Sequence, residues 1–338
     1  MKLFQLLLFS LFIHFLVACT SCKQTPKNDT TENTPPVEDI KVTVPNFNED
    51  SAFAYVKKQV DFGPRVNNTA AHVKCGDWMI QFLKEKADTV YVQKADLTGF
   101  DGKVLKSRNI IASFNPNAKQ RIMLASHWDT RPFADQDSSR QKEAIDGAND
   151  GASGVGVLLE IANVLKQNKI DIGIDIVLFD AEDYGAPQGA TTTLEESYCL
   201  GSIYWSKNKH IPNYTADFGI LLDMVGASNA TFTKEGTSMM YAGAFVNYVW
   251  GIANEIGYSQ YFTYEQTGAL IDDHKYVNEI ANIPMLDIIH RTNETPSGFG
   301  AYWHTHNDNI NAVNKATLKA VGQTVLHAIY KYDKKKSV

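Results

Sequence analysis

The stretch that decides the fold is "DGANDGASGVGVLLEIANVLKQNKIDIGIDIVLFDAED", residues 146–183. A loop rich in glycine and aspartate, running from Trp128 to about Asp150, opens into the helical pattern "ASGVGVLLEIANVLKQN" and then into the apolar strand "IDIVLFDAED". The same alternation continues on both sides. Upstream lie helical patterns at Ser51–Gln59, with Asn48 or Ser51 as cap, and at Ala70–Lys86, with Val73, Trp78, Phe82 and Leu83 on one face. Strand-like runs follow at "TVYVQKADL", "SRNIIASF" and "RIMLASH". Downstream come a polar insertion, "GAPQGATTTLEES", a short helix near Leu200, the strand "FGILLDMVG", a helix from Val246 to Ile256, the strand "IPMLDIIHR" and a closing helix, "KATLKAVGQTVLHAIYKY". Apolar strands alternating with helices predict an α/β fold: a single domain whose mostly parallel central sheet is flanked by helices on both faces.

The N-terminus stands apart. "MKLFQLLLFSLFIHFLVAC" is a Lys2 followed by an apolar run about as long as a secretory core. It ends in Leu16-Val17-Ala18-Cys19, which resembles the lipobox of bacterial lipoproteins, where the cysteine is lipidated and becomes the new N-terminus. A plain membrane anchor is the competing reading, because a span needs about 20 apolar residues. Either way the body is exported to the periplasm or cell envelope. Residues 1–18 are expected to be a signal peptide. Residues 19–46, rich in Thr, Asn, Pro and charge, form a tether with too little apolar surface to offset its chain entropy. Residues 47–338 carry no second Pro/Ser/Gly-rich linker and suit one domain. Hydrophobic residues make up 44% of the chain, enough for a sizeable core. A net charge of -6 and a pI near 5.9 provide no basic stripe for a phosphate backbone, so no nucleic-acid partner is expected. Beyond Cys19, the cysteines Cys22, Cys75 and Cys199 are too few for a disulfide framework. The expected assembly is a monomer that meets a membrane only through a lipid on Cys19.

In open α/β sheets ligands gather beyond the carboxyl ends of the strands. The polar residues of this chain do the same: His127 and Asp129 follow "RIMLAS", Glu182 and Asp183 follow "DIVLFDA", Asp223 ends "FGILLD", and His304 follows "IPMLDII". Carboxylates and imidazoles converging on one mouth suit a metal such as zinc, held with an open position for substrate. Each residue also has a plainer reading. Asp150, just ahead of a helix, is an ordinary cap candidate; a histidine within "YWHTHNDN" is an ordinary buried or surface histidine; the Glu182-Asp183 pair is an ordinary solvated turn. "GALIDDHKYV", residues 268–277, adds two further acids and an imidazole between apolar flanks.

Taken as an ordered set, "HWD", "DGANDGASGVGVLLEIA", "LFDAED", "LLDMVG" and "WHTHNDN" resemble the zinc-aminopeptidase superfold, over nearly everything from Ala52 to Tyr330. Two families share that layout: dizinc aminopeptidases, and the animal-type (type II) glutaminyl-peptide cyclotransferases, which bind one zinc and turn N-terminal glutamine into pyroglutamate with loss of ammonia. The peptidases typically read Ser-Asp-His where this chain has Asp272-Asp273-His274, and place Tyr or Phe before the late histidine, where this chain has Trp303. Both positions are similar to the cyclases, as is "LLDMVGASNATF".

The cyclase resemblance implies one zinc per chain on Asp150, Asp183 and His304, with Glu182 as general acid/base. It implies that Asp272 receives the leaving amide nitrogen with Asp223 hydrogen-bonded behind it, and that Trp303 and Phe299 wall a glutamine pocket. The implied partners are peptides or proteins with N-terminal glutamine. His127 and Asp129 match peptidase ligands but are left out of the metal set, as in the cyclases. Strand alternation is the expected reason why the adjacent Glu182 and Asp183 hold different jobs. Three departures from the cyclase pattern stand out. Ser126 replaces a cysteine that in the cyclases joins a disulfide beside the site. Asp183 replaces a longer Glu. The insertion after the Glu-Asp pair is long.

Overall fold

The apolar runs pair into one sheet. Strands β1 (Thr89–Thr98), β2 (Val104–Phe114), β3 (Arg121–His127), β4 (Gly173–Phe179), β5 (Phe218–Asp223) and β8 (Met285–Ile289) lie in the order β1-β2-β4-β3-β5-β8. β3 runs parallel to β4 and β5, and β5 parallel to β8, whereas β1, β2 and β4 pair antiparallel. Two short strands, β6 (Phe232–Lys234) and β7 (Phe262–Gln266), form a separate parallel pair. The structure is a computed structural model that describes residues 42–336 apart from 188, 189, 192 and 194–196. The segment read as a signal peptide, Cys19 and the tether as far as residue 41 lie outside the described residues. Among the described residues no helix is long and apolar enough to cross a membrane.

The two-residue period of the strands splits the core. Ile110, Ile122, Leu124, Ile174, Ile176, Ile220 and Leu222 face a large cluster with helices α1 (Glu49–Val60), α2 (Ala70–Lys84), α3 (Ala152–Gln167), α5 (Gly236–Glu255) and α6 (Lys315–Lys336). Ile111, Met123, Ala125, Val177, Phe179 and Leu221 face a smaller cluster built with Trp205 of α4 (Leu200–Lys207) and the π-turn Val277–Ala281. Helices therefore cover both faces, as the apolar strands require.

Local signals explain most boundaries. Asn48, the earlier of the two expected caps, accepts hydrogen bonds from the Asp50 and Ser51 amides and starts α1. In α2 the buried stripe is His72, Cys75, Met79 and Leu83; Val73 is 46% exposed, because it lies off that 3.6-residue stripe. Helix α5 begins at Gly236, well before the expected Val246, because Glu235 caps it through the Thr237 and Ser238 amides. Val42 and Val44 already pack against the core and Phe47 is buried. Helix α3 lies close over the sheet at Gly154, where a Cβ would collide with the Leu222 carbonyl and Ser126 Oγ. That contact brings the loop before α3 to the carboxyl ends of β3 and β5.

Candidate active site

Asp150, Asp183 and His304 converge at that edge. One donor atom from each lies within 4.8 Å of the other two. His304 Nε2 is 3.4 Å from Asp183 Oδ1 and 3.8 Å from Asp150 Oδ2, and all three residues are buried. Asp150 does not cap α3: the cap residue is Gly151, at φ +86°. The backbone there is held from behind, because the Asn149 and Asp150 amides donate to the two carboxylate oxygens of Asp308, at 2.7 and 3.0 Å. A second carboxylate does the same for the acidic pair. Asp129 accepts from the Glu182 amide at 3.0 Å and the Asp183 amide at 3.1 Å.

The two acids diverge for a reason other than strand alternation. β4 ends at Phe179, and Ala181 is left-handed, at φ +56°, so the chain has already turned when it reaches them. His304 is itself left-handed, at φ +54°. Non-glycine residues in that region cost about 1–2 kcal/mol each and persist where the surroundings over-determine them, commonly at functional sites.

This ligand set suits a cation. Both Asp183 carboxylate oxygens are buried without a hydrogen bond; His304 Nε2 and Arg131 Nη1 flank Oδ1 at 3.4 and 3.6 Å, and a cation would complete the pair. Two carboxylates and an imidazole leave one tetrahedral position free, the pattern of catalytic zinc. Asp135 Oδ1 lies behind that imidazole, 3.4 Å from His304 Nδ1, and is itself gripped by the buried Arg131 at 2.7 Å. The second histidine of "HTHND", His306, pairs instead with Asp137 at 2.7 Å.

The set opens into a cavity of about 300 Å³ whose walls include all eight site residues named from the sequence: Asp150, Glu182, Asp183, Asp223, Asp272, Phe299, Trp303 and His304. The Phe299 and Trp303 rings lie 4.9 Å apart, and Trp303 stacks on His304 at 3.8 Å. Glu182, Asp272 and Cys199 bring donor atoms within 4.8 Å of one another, with Cys199 Sγ 3.3 Å from Glu182 Oε1. Burial raises Glu182 well above the usual carboxylate range, and the charges of Asp183, Asp272 and Asp273 add to this against His127.

Some placements differ from expectation. The hydrogen bond recorded for Asp223 comes from His127 Nε2, at 3.2 Å, while the carboxyl group that meets Asp272 belongs to Asp287 on β8. Burial pushes Asp223 up to about 7, opposed by the His127 hydrogen bond and reinforced by Asp150 and Asp272. His127, Asp150 and Asp223 form a second group with metal-like spacing. Its histidine already lies 3.0 Å from Asp150 and 3.2 Å from Asp223, and Asp129 is committed to backbone amides. Of the "DDH" triplet, His274 bonds to Glu235 at 2.9 Å and Asp273 is fully buried beside Ser202. Ser126 donates its hydroxyl to the His127 carbonyl at 3.2 Å, and Cys75 and Cys199 are free, so among the described residues no disulfide braces this corner.

Several contributors escaped the reading of the sequence. Tyr198, Met224, Ala269, Leu270, Ile271 and Ile289 complete the cavity wall. Asp308, Asp135, Asp287 and Cys199 support it from behind; Asp308 stood inside "WHTHNDN" and Asp287 inside the strand "IPMLDIIHR", but neither was given a role there.

Comparison with known proteins bears on this geometry. Residues 109–329 match the model of Peptidase family M28. The chain is 24% identical over 246 residues to the glutaminyl-peptide cyclotransferase of Boiga dendrophila, covering 66% of this chain and 65% of that protein, just under two thirds of its length. The crystal structure of Tannerella forsythia glutaminyl cyclase is 51% identical, with a TM-score of 0.83, covering 85% of this chain and 99% of that one. A Zn-dependent exopeptidase structure from Parabacteroides distasonis is 52% identical, with a TM-score of 0.84 and the same coverage.

Proposed function

The chain belongs to peptidase family M28, and we propose that within it the protein is a glutaminyl-peptide cyclotransferase, converting N-terminal glutamine of peptides or proteins into pyroglutamate with release of ammonia. The observation that carries this reading is the second acidic group in the cavity: Asp272 beside Glu182, where the peptidases have a serine. The similarity to the Tannerella and Boiga cyclases points the same way.

Cyclisation is attack by the substrate's own α-amine on its γ-amide carbonyl, so the protein must fold the side chain back and keep water out. Phe299 and Trp303 are suited to both tasks. Glu182 accepts the proton from the attacking amine and returns it to the departing nitrogen, a role typically worth about 100- to 10,000-fold. Asp272 receives the leaving nitrogen, and Asp223 lines the same cavity, held by His127. Asp150, Asp183 and His304 would hold one zinc, which supplies Lewis-acid polarisation of the amide carbonyl. The nucleophile is already in the substrate, so the reaction has no need of a second metal on His127.

The proposal extends to the rest of the chain. Residues 1–18 act as a signal peptide, Cys19 carries the lipid, residues 19–46 tether, with Val42 and Val44 at their end already packed on the body, and residues 47–338 work as a monomer in the periplasm or cell envelope.

One assay decides the activity: purified protein given a Gln-initiated peptide and, separately, a Leu-anilide. Ammonia without anilide cleavage is expected; anilide cleavage without ammonia would overturn the reading. The alternative, a dizinc aminopeptidase, draws on the spacing of His127, Asp150 and Asp223 and on the similarity to the Parabacteroides exopeptidase. Metal analysis separates it, because that alternative requires two well-occupied zincs.

A further inference from the structure

Outside the residues singled out from the sequence, Cys199 touches Glu182 directly. Its Sγ lies 3.3 Å from Glu182 Oε1, and both side chains are buried. Among the described residues this thiol is the side-chain donor recorded for the Glu182 carboxyl group. Cys199 holds the N-cap position of α4 yet makes no side-chain capping hydrogen bond, and its backbone is left-handed at φ +57°. The side chain is thus turned from the helix toward the acid at a conformational cost. The backbone is welded to the same turn: the Cys199 amide donates to the Glu182 carbonyl at 2.9 Å and the Leu200 amide to the Ala181 carbonyl at 3.0 Å. The Cys199 carbonyl accepts from Ser202 Oγ and from the Ile203 amide, both at 3.0 Å. Glycine at 201 lets this connection sit against the Asp180 carbonyl, which a Cβ would strike. Burial, with the nearby acids, raises the thiol well above its usual pKa, so it keeps the proton it donates.

A glutamate has three side-chain torsions, and this one sits among acids that repel it. We propose that Cys199 is a positioning residue for Glu182: its S–H fixes the rotation of the carboxyl group so that it presents to the cavity. The inference rests on the role of Glu182 given above and goes beyond it.

In the full chain, Cys199→Ala is expected to lower kcat for ammonia release about fivefold with KM, zinc content and melting temperature unchanged; Cys199→Ser, which keeps a donor, should stay within about twofold of the parent. In a Glu182→Gln background the alanine substitution should cost nothing further, because it acts only through the carboxylate. The infrared S–H band lost in Cys199→Ser should lie at lower frequency than that of an unbonded thiol and move when Glu182→Gln is introduced. An unchanged kcat in Cys199→Ala, or the same loss in both backgrounds, overturns the proposal. If Cys199→Ala does not fold, the serine variant and the infrared band decide, and a band at the unbonded position overturns it. A parent protein that releases no ammonia counts against the cyclase reading instead, and the same cycle is then run on Leu-anilide hydrolysis.

Discussion

Glu182 and Asp183 are neighbours in sequence with different surroundings, and the division is testable one residue at a time. Glu182→Gln should lose most turnover, about 100-fold or more for a general acid/base, yet retain zinc; His304→Ala should lose metal as well, read by elemental analysis of the purified variants. Asp272→Ser restores the peptidase residue at that position, and undiminished ammonia release would show that Asp272 is not the group receiving the leaving nitrogen. Only the neutral amine attacks, and a free α-amine has a pKa of about 7.7 to 8.0, so kcat/KM should climb as pH rises toward the mild alkaline range. A flat profile between about pH 6 and 8.5 would count against amine attack. The residue types that meet in the cavity were legible in the chain because acids and imidazoles at successive strand ends are conspicuous. Cys199 and Asp287 were not, since a buried thiol or acid far off in the chain carries no local mark of what it will touch.

Elements hold these residues through carboxylates that never reach the cavity. Asp308 takes the Asn149 and Asp150 amides, so Asp308→Ala should weaken zinc binding about 10- to 100-fold, measured by competition with a chelator, while leaving the ligands themselves intact. Glu235 joins the start of α5 to the loop carrying Asp272: it accepts from the Thr237, Ser238 and Leu270 amides and from His274. Burial is the largest single influence and opposes its charge, but the His274 hydrogen bond and charge together with the Ser238 hydrogen bonds outweigh it and hold the carboxyl at about 2; Asp287 and Arg291 are the other charged groups facing it. An unfolded glutamate titrates near 4.3, so this pairing stabilises the fold above that pH and is lost as pH falls toward about 2. Glu235→Gln should therefore be less stable at pH 7, and its deficit in chemical denaturation should close between about pH 4 and 2. A deficit constant over that window would mean the charge is not what matters. The cap was missed in the sequence because "KEGTSMMYAGAF" has little apolar period, and α5 there is held by tertiary packing.

Across the whole molecule, the N-terminal address and the catalytic body are separable claims. Cys19→Ser should release the protein from membranes without changing kcat, as fractionation and assay of the soluble pool would reveal. A body starting at Phe47 should melt on the order of 2 °C below one starting at Lys41, because it lacks the Val42 and Val44 contacts. The chain by itself determined the α/β class, the two-faced sheet and the residue types at the strand ends, because apolar period and strand-end polarity are properties of short segments. Tertiary structure alone decided which partners they meet: that Asp129 and Asp308 grip backbone amides, that Asp287 lies against Asp272, and that Cys199 reaches Glu182. Those pairings depend on the angle at which left-handed turns at Ala181, Cys199 and His304 redirect the chain, and on how closely α3 packs at Gly154. No local pattern encodes such angles, because they are strained and exist only where packing from several distant segments holds them.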